Sequence, residues 1–267
     1  MRRPELRPRL VVLKRSDVNS FRYDSGKSRL LADPFLTVVP APLSPPWDEV
    51  SELGDLDRQG RLKPGTVFVR NPWDEGRYVE SGEIYEQFQL AKYNAIAHVC
   101  DALGAELLET SEIQAIVKGT ETPIKIGLGR PLDQHTKLLL GEAGVDTQTV
   151  ERIRSQLEQR HRWDGGPPNR AKVDDWMIRT GLDADPAIRG IVRHRFEGSG
   201  GLREYTLVAA ISKEAVREVA VVAELGSMLA KLLGSEFKVE IGHGRQTGFE
   251  VQVRLHVKFP RYGIRAR

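Results

Sequence analysis

The chain has 267 residues, 40% of them hydrophobic and 29% charged, with a formal net charge of +3. That composition supplies a sizeable core in one large domain or two small ones, and it excludes global disorder. A single cysteine, Cys100, excludes an internal disulfide and any CxxC metal or redox pair, so a reducing, cytoplasmic setting is the expectation.

The charge is unevenly spread. Residues 1–15 carry six Lys and Arg against one Glu, and residues 238–267 carry seven against two. Each end is therefore +5 and the stretch between them is −7. The basic N-terminus is not a secretory signal, because its apolar run Leu10–Leu13 is closed at once by Lys14 and Arg15 and such signals need about 7–15 apolar residues. The nearest approach to a membrane span, Val219–Leu233, holds Glu224 and Lys231 and falls short of the roughly 18 apolar residues a helix needs to cross a bilayer. The chain is expected to be soluble as made.

Nine of the fifteen prolines lie in the first 72 residues. Proline removes a backbone donor and fixes φ, so residues 1–80 are expected to be a Pro-rich wrap of short strands and loops without long helices or central strands. Its pieces are Leu10–Leu13, Phe35–Val39 and Thr66–Arg70. Residues 81–267 read as an α+β core. Ser81-Gly82 opens a helix over 83–103 with apolar positions Ile84, Phe88, Ala91, Ala95, Val99 and Ala102, and Gly104 stops it. A hairpin over 106–128 follows. Asp146 then caps a helix over 146–161 that turns Val150, Ile153 and Leu157 inward, and a shorter helix covers 171–180 before Gly181.

Asp185-Pro186 is a further helix-start signal, but the β-branched text from Ile191 to Phe196 favours a strand. With Gly198–Gly201 as its loop, that strand would pair with Leu202–Ala210 in a hairpin over 190–210. Ser212 caps a helix over 213–233 with Glu214 in its first turn, and Gly234 ends it. A last hairpin covers 236–259 around the glycine-rich tip 242–248. Its second arm places Phe249, Val251, Val253, Leu255, Val257 and Phe259 on one face and Glu250, Gln252, Arg254, His256 and Lys258 on the other. Strict alternation of this kind means one face buried and one wet. The expected fold class is thus α+β: a mainly antiparallel twisted sheet of about five or six strands, helices packed on one face, and the Pro-rich N-terminal segment. Residues 102–109 (ALGAELLE) and 232–239 (LLGSEFKV) hint at an internal helix–turn–strand repeat.

Chemistry-bearing patterns are sparse. No two of His98, His135, His161, His194, His243 and His256 stand three to five residues apart, so no zinc spacing exists and no metal or other cofactor is expected. Cys100 sits among Ile96, Val99 and Leu103 and reads as an inert core thiol. The glycine clusters 127–131, 198–201 and 242–248 match neither a P-loop nor a dinucleotide fingerprint. Every tryptophan adjoins an aspartate (Trp47-Asp48, Trp73-Asp74, Trp163-Asp164, Asp175-Trp176), a pattern expected of turn anchors.

Three function classes follow. The leading one is a non-enzymatic interaction or effector-type protein that uses a basic, amphipathic hairpin surface, most concretely at an anionic membrane with self-assembly of the pore-forming type. His243, Arg245, Arg254, Lys258 and Arg261 are its candidate anion- or lipid-binding residues. Val219, Val222, Leu225, Met228, Leu229 and Leu232 are its candidate assembly or repacking positions. The expected partners are an anionic membrane surface or a second copy of the chain, with recruitment from the cytoplasm to the membrane. The second class is a nucleic-acid binder using the basic termini, opposed by an aromatic content of only 7%. The third is a hydrolase or transferase whose site hides among the Trp-Asp pairs or Asp174-Asp175.

Overall fold

The computed structural model describes residues 6–24, 27–74, 76–117, 122–142, 145–197, 202–234 and 249–260. It is an α+β protein with two sheets, mostly antiparallel in order. Two compact units take their described residues from separate stretches: Met1–Asn71, Gly76–Tyr85 and Arg217–Arg245 in the first, Pro72–Glu75, Glu86–Val216 and Gln246–Arg267 in the second.

In the first unit, β1 (Arg9–Lys14) is followed by α1 (Arg15–Tyr23), α2 (Ser28–Ala32), β2 (Leu36–Ala41), α3 (Ser51–Arg58), β3 (Val67–Arg70) and β4 (Tyr78–Glu80). The strands lie in the order β2-β1-β3-β4, with β1 and β2 parallel and the other pairs antiparallel. This corrects the expectation that the proline-rich stretch holds no central strand. Leu10, Val11, Val12 and Leu13 are all buried in β1, as a continuous apolar run in a strand covered on both faces should be. The prolines stay out of its way. Pro40 lies in the edge strand β2, where a missing donor costs no ladder bond, and Pro8 stands just before β1 with its carbonyl accepting from the Arg70 N–H at 2.7 Å. One core layer joins Leu10, Val12, Val39 and Phe68 of the sheet to Val50, Leu53 and Leu56 around α3, with Trp47 packed against it. The helices of this stretch are short, as expected.

In the second unit, α4 (Ile84–Ala102) leads to β5 (Leu107–Val117), β6 (Ile124–Ile126), α5 (Gln134–Glu142), α6 (Thr147–Leu157), β7 (Arg160–Arg162), α7 (Arg170–Thr180), α8 (Pro186–Glu197), β8 (Glu204–Ala210) and β9 (Phe249–Lys258); between β8 and β9, α9 (Lys213–Leu233) has only its first turn in this unit. The sheet runs β6-β5-β9-β8, and β7 pairs with the start of β5. β9 is buried on alternate residues as its sequence requires. Its long pairing with β5 is broken by one bulge at Ser111, whose hydroxyl donates to the Arg254 carbonyl at 3.0 Å.

Local signals explain most of these boundaries. The Asp146 carboxylate accepts from the Gln148 and Thr149 N–H groups and caps α6. Gly104, Gly181 and Gly234 stand at helix ends with φ of 77°, 64° and 97°. Ser212 precedes α9, but its hydroxyl accepts from the Val251 N–H at 2.6 Å, tying the helix start to β9.

The expected strand at 191–196, and with it the hairpin over 190–210, is corrected. Residues 186–197 form α8, whose Pro186 occupies the first helical position and whose start is held by Asp185 Oδ1 accepting from the Ala187 N–H at 3.0 Å. Ile188, Ile191 and Val192 are buried at helical spacing, so burial of one stripe outweighed β-branching. β8 pairs with β9 instead. The helix expected to reach 161 ends at Leu157, and Arg160–Arg162 form β7. The first arm and tip of the last hairpin, the loop 198–201 and part of the second repeat word lie outside the described residues.

Residues 217–233 of α9 return to the first unit. There Arg9 donates from Nε and Nη2 to both carboxylate oxygens of Glu218, at 2.8–3.0 Å across 209 residues of chain.

Candidate functional site

Of the residues expected to bind anions, His243, Arg245 and Arg261 lie outside the described residues. Arg254 and Lys258 stand on the outer face of the second sheet, each beside a carboxylate from a neighbouring strand. Glu112 of β5 comes within 3.5 Å of Arg254, and Glu204 of β8 within 3.7 Å of Lys258. His256 lies between Glu109 at 3.5 Å from Nδ1 and Glu204 at 3.6 Å from Nε2. Lys125 and Arg160 join the same lattice through Glu112 and Glu109. Cross-strand register puts opposite charges side by side here, so the face is close to neutral rather than basic. On α9, Val219, Val222, Leu225 and Leu229 are buried, Leu232 is half-buried and Met228 is exposed.

The glycine cluster 127–131 meets a carboxylate of its own chain. Glu158 Oε1 accepts from the Gly129 N–H at 3.0 Å, while Arg154 donates to the Arg130 carbonyl at 2.5 Å. Cys100 is fully enclosed, and burial pushes its thiol up to about 12, so it holds its proton as an inert core group should.

The second unit holds a buried cation that local patterning does not reveal. Lys92, on α4, is only 4% exposed at its side chain. Its Nζ donates to the Ala210 carbonyl at 2.8 Å and to both oxygens of Glu214 at 3.2 Å, lies 3.5 Å from Asp185 Oδ2, and stands 5.5 Å over the Trp73 ring. Its hydrogen bonds are satisfied, and it clamps the starts of α8 and α9 to α4.

Two surface recesses of the same unit are open to ligands. The first is a groove of about 680 Å³ between α7 and α8. Asn169 caps α7 through the Lys172 N–H, and Gly181 turns the chain so that α8 doubles back. Met177 and Val192 form an apolar floor, and Ile178 stands 74% exposed on the rim. Arg170 pairs with Asp174 and Arg193 with Glu197, whereas Arg189 has no ion pair among the described residues. Gly190 lets α8 approach β8, because a Cβ there would stand 2.9 Å from the Tyr205 hydroxyl.

The second recess, of about 640 Å³, lies where α4 ends and α7 begins, behind the loop 163–167. Asp101, Arg162, Trp163, Asp164 and Lys172 contribute to its wall. Trp163 stacks on His161 with ring centroids 5.6 Å apart, and His98 stacks on Trp176 at 4.4 Å. Burial and the nearby His98 hold the His161 imidazole below its ordinary pKa.

The Trp-Asp pairs therefore have diverse roles. Trp47 and Trp73 pack into cores, the Asp175 carboxylate accepts from Arg179 one turn along α7, and Trp163-Asp164 lines a recess. Among the described residues no group of three or more His, Cys, Asp and Glu is placed to hold a metal ion, and no helix is long and apolar enough to cross a membrane. No protein-family model matches the chain, and no curated protein or solved structure matches it either.

Proposed function

We propose that the protein works by binding, as an interaction protein whose α7–α8 groove receives a segment of a protein partner. The observation that carries this reading is the groove itself: an apolar floor, one exposed isoleucine on the rim, and one guanidinium without a carboxylate. Such a surface suits a segment with an apolar anchor for Met177 and Val192 and an acidic side chain for Arg189. The reading rests on this groove and not on the outer sheet face, because the carboxylates beside Arg254 and Lys258 weaken the pull of that face on an anionic surface.

Peptide display against the purified protein tests it. Selected peptides should share an apolar anchor and an acidic residue, and Ile178→Glu and Arg189→Glu should each weaken their binding about tenfold or more, roughly 1.4 kcal/mol. Both side chains are exposed, so folding survives either change. Failure to enrich peptides, or binding indifferent to both substitutions, would sink the proposal. Membrane-directed self-assembly is the rival, read by flotation with anionic vesicles. Flotation and vesicle leakage unaffected by the groove substitutions would favour it.

A further inference from the structure

β8 is an unguarded edge strand of the second sheet. The Phe259 N–H donates to the Arg203 carbonyl at 2.8 Å and the Ile211 N–H to the Val251 carbonyl at 3.0 Å, so the odd-numbered main-chain groups along β8 face β9. The even-numbered ones face away from the sheet. One of them, the Ala210 carbonyl, is taken by Lys92 at 2.8 Å. The N–H and carbonyl groups of Glu204, Thr206 and Val208 enter no main-chain hydrogen bond among the described residues.

Such a row is a template for another strand, and proteins blunt it with short strands, lysine, proline or a bulge. The other edges of the two sheets follow that rule: β4 and β6 have three residues each, and β2 carries Pro40. β8 runs for seven residues without lysine, proline or glycine, and its register with β9 has no shift. Its outer-face side chains leave the edge open, since Glu204 and Thr206 are exposed and Val208 is an apolar side chain with 48% exposure.

We infer that β8 pairs antiparallel with β8 of a second copy of the chain, about a two-fold axis at Thr206. In that register Thr206 faces Thr206, Glu204 faces Val208 at both ends, and all three outward residues of each copy exchange main-chain hydrogen bonds. Any extended segment could meet those bonds, but the second copy is the occupant whose side chains match. Threonine opposite threonine is a favourable cross-strand pair, and no like charges are opposed. Glu204 of the second copy stands two strands from Arg254, about 10 Å between Cα atoms, a span the two long side chains bridge across Val208. Rival registers are poorer. Centring on Glu204 opposes that carboxylate to itself, and centring on Val208 calls on the Ala210 carbonyl that Lys92 already holds. β8 contributes nothing to the α7–α8 groove, so the failure of either proposal leaves the other standing.

The test is light scattering of the full chain at micromolar concentration, where a dimer is expected. Thr206→Asp sets two carboxylates against each other at the axis, while within one copy it stands beside His256, and it should weaken the dimer about tenfold or more. Thr206→Cys should cross-link the copies under mild oxidation, because residues facing each other in a hydrogen-bonded pair have Cα atoms about 5.5 Å apart, within disulfide range. Val208→Cys faces Glu204 instead, which leaves its two sulfurs about 13 Å out of step, and it should cross-link at least about tenfold more slowly. Cys100 is buried and adds no background. All three substitutions fall on exposed side chains, so the fold survives them. A monomeric wild type overturns the inference. So does a dimer that tolerates Thr206→Asp, or one that cross-links through position 208 as readily as through 206.

Discussion

Lys92→Met removes the buried cation while keeping most of the side-chain volume. Removing one member of a buried charge pair costs about 3–5 kcal/mol, because the partner is left charged and unpaired. Here the abandoned partners are Asp185, with 18% of its side chain exposed, and Glu214, with 41%. Glu214 recovers water easily, and Asp185 recovers less. The Ala210 carbonyl loses a donor at 2.8 Å, a further cost of about 1–3 kcal/mol if no water reaches it. Partial rehydration places the expected loss near the lower end of the pair range, at about 3 kcal/mol. Glu214→Gln removes the most exposed partner and should cost only about 1 kcal/mol. Urea unfolding is the assay, followed by tryptophan fluorescence, for which Trp73 under the ammonium is a local reporter. A Lys92→Met protein within about 0.5 kcal/mol of wild type would refute the reasoning. It would mean that Asp185 and Glu214 are hydrated enough in the native protein to need no cation.

Three further outcomes are expected. Gly104→Ala and Gly181→Ala share a left-handed backbone penalty of about 1–2 kcal/mol, but only the first places a Cβ 1.9 Å from the Gly166 carbonyl oxygen. Denaturant melts should therefore show Gly104→Ala as much the worse of the two, and equal losses would contradict the close approach. The Cys100 thiol, raised from 9.0 to about 12, keeps its proton in the fold after the unfolded chain has released its own. Stability should fall between those limits by up to about 1.4 kcal/mol per pH unit. Cys100→Ala should flatten that slope without abolishing it, since burial also raises the Tyr93 hydroxyl to about 12; an unchanged slope would count against it. His161 is depressed, so the unfolded chain takes up a proton first as the medium is acidified. Its contribution is present above the unfolded value of 6.5 and lost as pH falls through the lower folded value, and His161→Gln should remove that part of the acid-side slope in melts at pH 5 and 7.5.

Periodic elements were the legible ones. β9 announces its buried face by strict alternation, and α6 announces its start through Asp146 and its inward face through Val150, Ile153 and Leu157. Residues 191–196 misled because β-branched residues beside a glycine loop resemble a strand, although Asp185-Pro186 and the spacing of Ile188, Ile191 and Val192 carry the helix. α5 was missed for a related reason. Its start is held by Asp133, which accepts from the Thr136 N–H and hydroxyl, a cap easily lost behind the preceding glycines and proline. Those two bonds also hold the Asp133 carboxyl below its ordinary range. The sites were less legible than the fold because their parts meet only in space. Lys92 finds its carboxylates 93 and 122 positions downstream, so in sequence it is one lysine on a mostly apolar helix. Likewise, the basic character expected of β9 vanished because Glu109, Glu112 and Glu204 arrive from other strands.

The clasp between Arg9 and Glu218 has a consequence for how the protein is made. A ribosome releases the β1 strand early, yet the partner of its first residue is translated 209 residues later. At about 5–20 residues per second, that interval lasts on the order of ten to forty seconds. During it, the nascent first unit stands without its closing segment, and the whole second sheet except β9 emerges in the meantime. β1 therefore waits for most of the chain to be made before its first residue meets its partner, and only β9 of the second sheet is still to come when it does.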